Sequence, residues 1–259
     1  MKIYVVTDME GISGIWSGAQ TSPGTPQYEE GRKLMMADVN SAIEGALAGG
    51  ATEVIVNDGH GGGPHFLLEQ MHPAAKYERP QSAQDYLPGL DETCAGVFLI
   101  GAHAMAGTQG AFLDHTQSGT WFNYSLNGRL CGEIGQVGAT AGHYGVPVIL
   151  VTGDNKAAEE GRQFFPGAEA VAVKEGLSRN LARCLQPGRA RELIKQAAER
   201  AMAKAGQVKP WRLETPIEVV LEVTSTELAD SLSGRPGVER TGPRTLRKMA
   251  ATALDIIAF

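Results

Sequence analysis

The sequence carries no excess of positive charge: 23 Lys and Arg stand against 29 Asp and Glu, a formal net charge of −6. No Lys/Arg cluster overrides that balance, which excludes nucleic acid as a partner. Long hydrophobic runs are missing as well; none approaches the ~20 residues of a membrane helix, so no membrane partner is expected. Cysteine is scarce: Cys94, Cys131 and Cys184 are scattered, form no CxxC and leave an odd one over. That argues against a disulfide scaffold and fits a reducing, cytoplasmic setting. The first residues hold one Lys, a short strand-like run and then an acid, so a signal peptide is not expected. Nor is there an internal repeat, a low-complexity tract or a G-x-S-x-G elbow for a nucleophilic serine. The phosphate-cradling spacings G-x-x-x-x-G-K-[ST] and G-x-G-x-x-G are absent too.

What the chain does have is glycine, 33 residues in 259, many beside His, Asp or Glu, and 42% hydrophobic residues, ample for a core. Five apolar, β-branched-rich runs read as buried strands: "IYVVT" from Ile3, "TEVIVN" from Thr52, "GVFLIG" from Gly96, "VPVILVTG" from Val146 and "PIEVVLEV" from Pro216. Helical periodicity fills the intervals. From Tyr28 to Ala48, Leu34, Met35, Val39, Ala42, Ile43, Ala46 and Leu47 share a face, with Thr25-Pro26 as cap and first turn and Gly49-Gly50 as stop. Helices are also expected from Asp154, from Gly188 and, through "RTLRKMAATALDIIAF", from Arg244. Alternating strands and helices predict an α/β fold: a mostly parallel sheet with helices on both faces, a three-layer αβα arrangement. "GQVKPWR" (206–212) reads as a linker, dividing a catalytic domain, 1–205, from a small C-terminal lobe, 206–259, packed on it.

In open α/β sheets ligands bind outside the carboxyl ends of the strands. The first strand ends in Asp8 and Glu10, the second in "VNDGHGGG" with Asp58 and His60, the third in "LIGAHAMAG" with His103, the fourth in "LVTGDN" with Asp154. Between the third and fourth lie Asp114-His115 and the glycine-flanked Glu133. Carboxylates and imidazoles converging on one rim, without thiolate, suit a catalytic zinc, manganese or iron. Their number exceeds what one ion takes from protein and suits two metals sharing a carboxylate. Asp8 and Glu10, two residues apart on an extended segment, face the same way. His65 and His72 are expected to be surface or packing residues, His143 to lie before a strand start at the wrong end of the sheet for the site, and Cys131 to be a small buried apolar residue rather than a nucleophile.

With "DMEGISG", "NDGHGG", "GAHAMAG", "LDHTQ", "NGRLCGEIG", "VPVILVTGDNKAAEE" and "PGVERTG" assembled, the chain resembles the DppA family of D-aminopeptidases, binuclear zinc peptidases, over nearly its whole length. The resemblance implies metal ligands at Asp8, Glu10, His60, His103 and Glu133, with Asp8 bridging two Zn2+ per subunit, and a catalytic His115. It implies release of N-terminal D-residues from short peptides, and a homo-oligomer of stacked five-membered rings, a decamer, around a chamber. Two departures stand out: the third-strand histidine falls one position early, as from a one-residue loop deletion, and "GHGGGP" is unusually glycine-rich. Asp154 lies in a matching element with no ligand role implied. Other readings of the same residues are an L-specific aminopeptidase, a binuclear metallohydrolase of another amide or ester bond, and a metal-loaded binding protein without catalysis. Few Lys or Arg flank the motifs to grip a phosphate, which disfavours a phosphoester.

Overall fold

The computed structural model describes residues 1–61, 63–83 and 85–259. Its elements run β1 (Lys2–Thr7), α1 (Pro26–Ala48), β2 (Glu53–Asp58), β3 (Ala75–Glu78), β4 (Cys94–Ala102), β5 (Trp121–Leu126), β6 (Arg129–Leu130) and α2 (Glu133–His143). They continue with β7 (Val148–Asp154), α3 (Asn155–Phe164), β8 (Glu169–Ser178), β9 (Leu181–Cys184), α4 (Pro187–Met202), β10 (Ile217–Val223), α5 (Thr226–Ser233), β11 (Glu239–Arg240) and β12 (Thr245–Ala250).

The main sheet has the order β3-β2-β1-β4-β7-β8-β9, parallel apart from the β8–β9 pair. Side chains alternate across β1, so Ile3 and Val5 enter one core and Tyr4 and Val6 the other. The first core is closed by Met35, Val39 and Ile43 of α1 and Ile194 and Ala198 of α4. The second is closed by Ile134 and Val137 of α2, Phe164 of α3 and a further sheet. A sheet covered on both faces is the expected three-layer arrangement.

Capping follows the sequence. The Thr25 hydroxyl accepts from Tyr28 N at 3.0 Å, Pro26 opens α1, and Gly49 ends it. Asp154, read above without a role, caps α3 by accepting from Lys156 N and Ala157 N, and also accepts from Phe112 N at 2.8 Å. It is a structural carboxylate.

The expected helix from Arg244 is not formed. Residues 245–250 are strand β12, paired antiparallel with β10 from Ile217↔Ala250 to Glu222↔Thr245, and the rest of the tail is turns and bends that bury Ile256 and Phe259. The apolar spacing there fits either period; the unpaired main chain of β10 decides for strand, because its N–H and C=O groups need a partner. Five strands form this second sheet, in the order β11-β12-β10-β5-β6. The segment 206–259 supplies three of them, and residues 121–130 supply β5 and β6.

Connectivity positions the site. From β1 the chain winds outward through β2 and β3, then returns to place β4 on the other side of β1. The β1/β4 boundary is a topological switch point, where a crevice opens beyond the strand ends. Thr7 lies level with Asp58 of β2 and Ile100 of β4, so the residues that follow emerge side by side. Among the described residues no helix is long and apolar enough to cross a membrane.

Candidate metal centre

Asp8 extends the β1–β4 ladder, its N–H donating to Ile100 O at 2.9 Å, and Gly11 N donates to Gly101 O at 2.8 Å. The approach is so close that a methyl on Gly11 would lie 2.1 Å from Ala102 O. This contact holds the Asp8–Glu10 segment against the His103 turn. Glu133 arrives as the first residue of α2, where the helix dipole favours a carboxylate.

The Asp8 carboxylate splits between two histidines: Oδ1 lies 2.9 Å from His60 Nδ1 and Oδ2 lies 3.2 Å from His103 Nε2. Glu10 Oε2 is 3.2 Å from the same His60 nitrogen, and Glu133 Oε1 is 3.3 Å from the same His103 nitrogen. Two donor clusters therefore meet at Asp8. His115 stacks on His103 with ring centroids 3.9 Å apart and brings Nε2 to 3.8 Å from Glu133 Oε1. The structure thus brings together Asp8, Glu10, His60, His103, Glu133 and His115, the six residues given site roles by the family resemblance.

The far nitrogen of each ring is tethered to a main-chain carbonyl: His60 Nε2 to Thr21 O at 2.9 Å, His103 Nδ1 to Ala104 O at 3.1 Å and His115 Nδ1 to Leu113 O at 2.8 Å. A carbonyl only accepts, so each far nitrogen carries a proton and the near one presents its lone pair to the carboxylates. Lone pair against carboxylate is repulsive unless a positive charge lies between them. Burial resists charging His60, but Glu10 and Asp8 overcome it and push its pKa up to about 12. His103 is likewise buried, yet Glu133 and Asp8 drive it well above the ordinary value. Reciprocally, burial opposes ionisation of Asp8 and Glu133, and the histidines hold both below the usual carboxylate range.

The pocket is thus built for cationic charge at two adjoining points, and a divalent ion meets that demand by displacing protons. Buried Glu10 Oε2 and His103 Nε2 lack any hydrogen-bond partner, as donor atoms awaiting an ion would. Ligand atoms of Asp8, Glu10 and His103, and of His103, His115 and Glu133, each fall within 4.8 Å of one another. Imidazole and carboxylate donors whose outer nitrogens are tethered fit zinc.

Several supporting groups carry no signal in the sequence. Lys174, buried on β8, donates to Glu10 O and Ile15 O at 2.6 Å each, and burial lowers its pKa to about 8. Asp38 of α1 accepts from Ser13 N at 2.8 Å and Ser13 Oγ at 2.7 Å, gripping the turn after Glu10. Glu160 of α3 accepts from Met105 N at 2.9 Å behind His103. Gln117, left-handed at φ 58°, aims its N–H at Glu133 Oε1, 2.7 Å away. His65, expected at the surface or in packing, is buried beside the site. Its Nδ1 lies 2.9 Å from Asp58 Oδ1 and its ring packs edge-on to His60 at 4.8 Å. Only the pairing with Asp58, seven residues earlier, could have hinted at this. Cys131 is buried and apolar as expected, its thiol pushed up by burial.

A cleft of about 630 Å³ opens over Asp8, His60, His115 and Glu133, walled by Tyr86, Ile257 and residues 79–83. Its size suits a small molecule or a short peptide.

The D-aminopeptidase family, peptidase family M55, matches residues 1–259. A D-aminopeptidase of Bacillus subtilis (strain 168) is 34% identical over 260 residues, covering 98% of this chain and 93% of its own. The solved structure of the Zn-dependent D-aminopeptidase DppA from Bacillus subtilis, a self-compartmentalizing protease, superposes with a TM-score of 0.96 at 32% identity, covering 99% of this chain and 94% of that one. Whole-chain agreement in sequence and fold places the protein among hydrolytic enzymes that cut peptides: it belongs to the M55 family of D-aminopeptidases.

Proposed function

We propose that this chain is a zinc-dependent aminopeptidase with two metals per subunit, releasing N-terminal D-residues from short peptides. The observation that carries the reading is the divided Asp8 carboxylate, one oxygen for each histidine cluster, with Glu10 and Glu133 on opposite sides. Asp8, Glu10, His60, His103 and Glu133 would hold the ions. Zinc in such a site supplies Lewis acidity, polarising a carbonyl and making water acidic near neutral pH.

The chain's own groups do the rest. His115, its Nδ1–H fixed on Leu113 O, presents Nε2 to the cleft as a proton acceptor and later as a donor to the departing amine. Gln117 N–H keeps Glu133 from swinging away, and the Thr21 and Ala104 carbonyls fix the rings of His60 and His103. The substrate's N-terminal amine, as the neutral base, would lie at the metal centre, which sets the peptide's start at the reacting position. Self-association is part of the proposal. Trp16, Leu177 and Leu181 are 65%, 40% and 55% exposed, apolar surface that a homo-oligomer would cover.

Release of alanine from D-Ala-D-Ala and L-Ala-L-Ala, each with zinc-loaded and chelator-stripped protein, tests the reading. Zinc-dependent cleavage of the D-peptide alone supports it. Cleavage of the L-peptide alone overturns the stereochemistry, and cleavage of neither by zinc-loaded protein overturns the function.

A further inference from the structure

Three parallel strands, β1, β2 and β4, deliver metal-centre residues to the carboxyl-end rim. Beside β2 runs β3, whose last residue, Glu78, is followed by Arg79. Arg79 lines the cleft together with Asp8, His60 and Glu133, and it is the only Lys or Arg among the described residues that do so. It forms no ion pair within the described residues, although its neighbours on the floor are carboxylates. Its placement is built. Glu78 Oε1 accepts from Tyr4 OH at 2.5 Å and from Gly89 N at 2.7 Å, tying both ends of the 79–89 loop to the sheet. Asn57 Nδ2 donates to Tyr86 O at 3.1 Å and holds Tyr86 to β2. Pro80 confines Arg79 to extended backbone, so the chain leaves β3 in line.

A short peptide entering this cleft has two polar ends. Its amine end is taken up at the metal centre; its terminal carboxylate, at the other end, needs a cation outside that centre. A guanidinium offers a planar fork that matches a carboxylate at two points. We propose that Arg79 binds the free C-terminal carboxylate of the substrate, making the enzyme selective for dipeptides and other short peptides whose carboxylate still lies in the cleft. This rests on the aminopeptidase reading above. Arg79 is a specificity-determining residue that touches substrate away from the scissile bond.

The test compares D-Ala-D-Ala with its C-terminal amide in wild type, Arg79→Gln and Arg79→Lys. Wild type should favour the free acid in kcat/KM by about tenfold to a hundredfold, the range of a charge-assisted hydrogen-bond pair. Arg79→Gln should bring that ratio near one, with the loss carried by KM, and Arg79→Lys should restore part of it. An unchanged acid-to-amide ratio in Arg79→Gln overturns the assignment. Calorimetric binding of the same two ligands to zinc-loaded His115→Ala protein, with and without Arg79→Gln, separates the two readings. Acid-over-amide binding that disappears with Arg79 upholds this inference even where wild type cleaves neither peptide, a result that sinks only the aminopeptidase reading. Equal binding of acid and amide before the substitution overturns the inference whatever the turnover shows.

Discussion

Gly11→Ala is a sharp perturbation of the framework that assembles the site. The added methyl would stand 2.1 Å from Ala102 O and 2.5 Å from the Gly101 carbonyl carbon, both main-chain atoms that cannot rotate aside. Ordinary contact begins near 3.4 Å, so the turn after β1 and the end of β4 must part by about 1.3 Å. That separation strains or breaks the Gly11 N–Gly101 O bond, about 0.5–1.5 kcal/mol, and adds overpacking of about 1–3 kcal/mol. Together they give a loss of roughly 2–4 kcal/mol, or on the order of 4–16 °C in Tm for a domain of this size. The functional loss should be larger than the stability loss. Metal ligands hold their distances within about 0.2 Å, and a displacement near 1 Å costs about a hundredfold in rate. Calorimetric melting and zinc titration on Gly11→Ala, beside Gly119→Ala, measure both. Gly119 is an exposed glycine near His115 in sequence whose added methyl meets nothing within 4 Å, so its variant should resemble wild type. A Gly11→Ala protein with wild-type Tm and full zinc affinity would refute the close-approach account.

Two further outcomes follow from the geometry. His115→Ala should abolish turnover of D-Ala-D-Ala while elemental analysis still finds the wild-type zinc content; loss of zinc would make His115 a ligand instead of a proton carrier. Burial raises the pKa of Asp38 to about 6, against its bonds from Ser13, so the folded state binds a proton the unfolded state has released between about pH 4 and 6. Stability attributable to Asp38 therefore falls as pH rises through that window, and Asp38→Asn should flatten this part of a urea-melt pH profile. A profile that keeps its slope in the variant would place the titration elsewhere.

The parallel strands were legible because each is an unbroken apolar run bounded by glycine or an acid, as at "IYVVT" before Asp8. Such strands end on a common rim, and that alone groups Asp8, His60 and His103 from their places in the sequence. The second sheet was not legible. β5 and β12 pair with β10 across about a hundred and about thirty residues of chain, and "RTLRKMA" satisfies helical and strand periods equally. Strand identity there is a property of the partner. The groups that hold the ligands were hidden for the same reason. Lys174 reaches Glu10 across 164 residues, and nothing local marks it as a buried cation serving two carbonyls. His65 takes the second of its two expected places, packing, but nothing local shows that Asp58 and His60 draw it in beside the site.

The central claim is that one carboxylate serves two metal sites, and counting ions tests it most directly. Elemental analysis of zinc-reconstituted, extensively dialysed wild type should give two zincs per chain, and Glu133→Ala should fall below two because the His103 side loses a donor. A single zinc in wild type, or two tightly held zincs in Glu133→Ala, would contradict it.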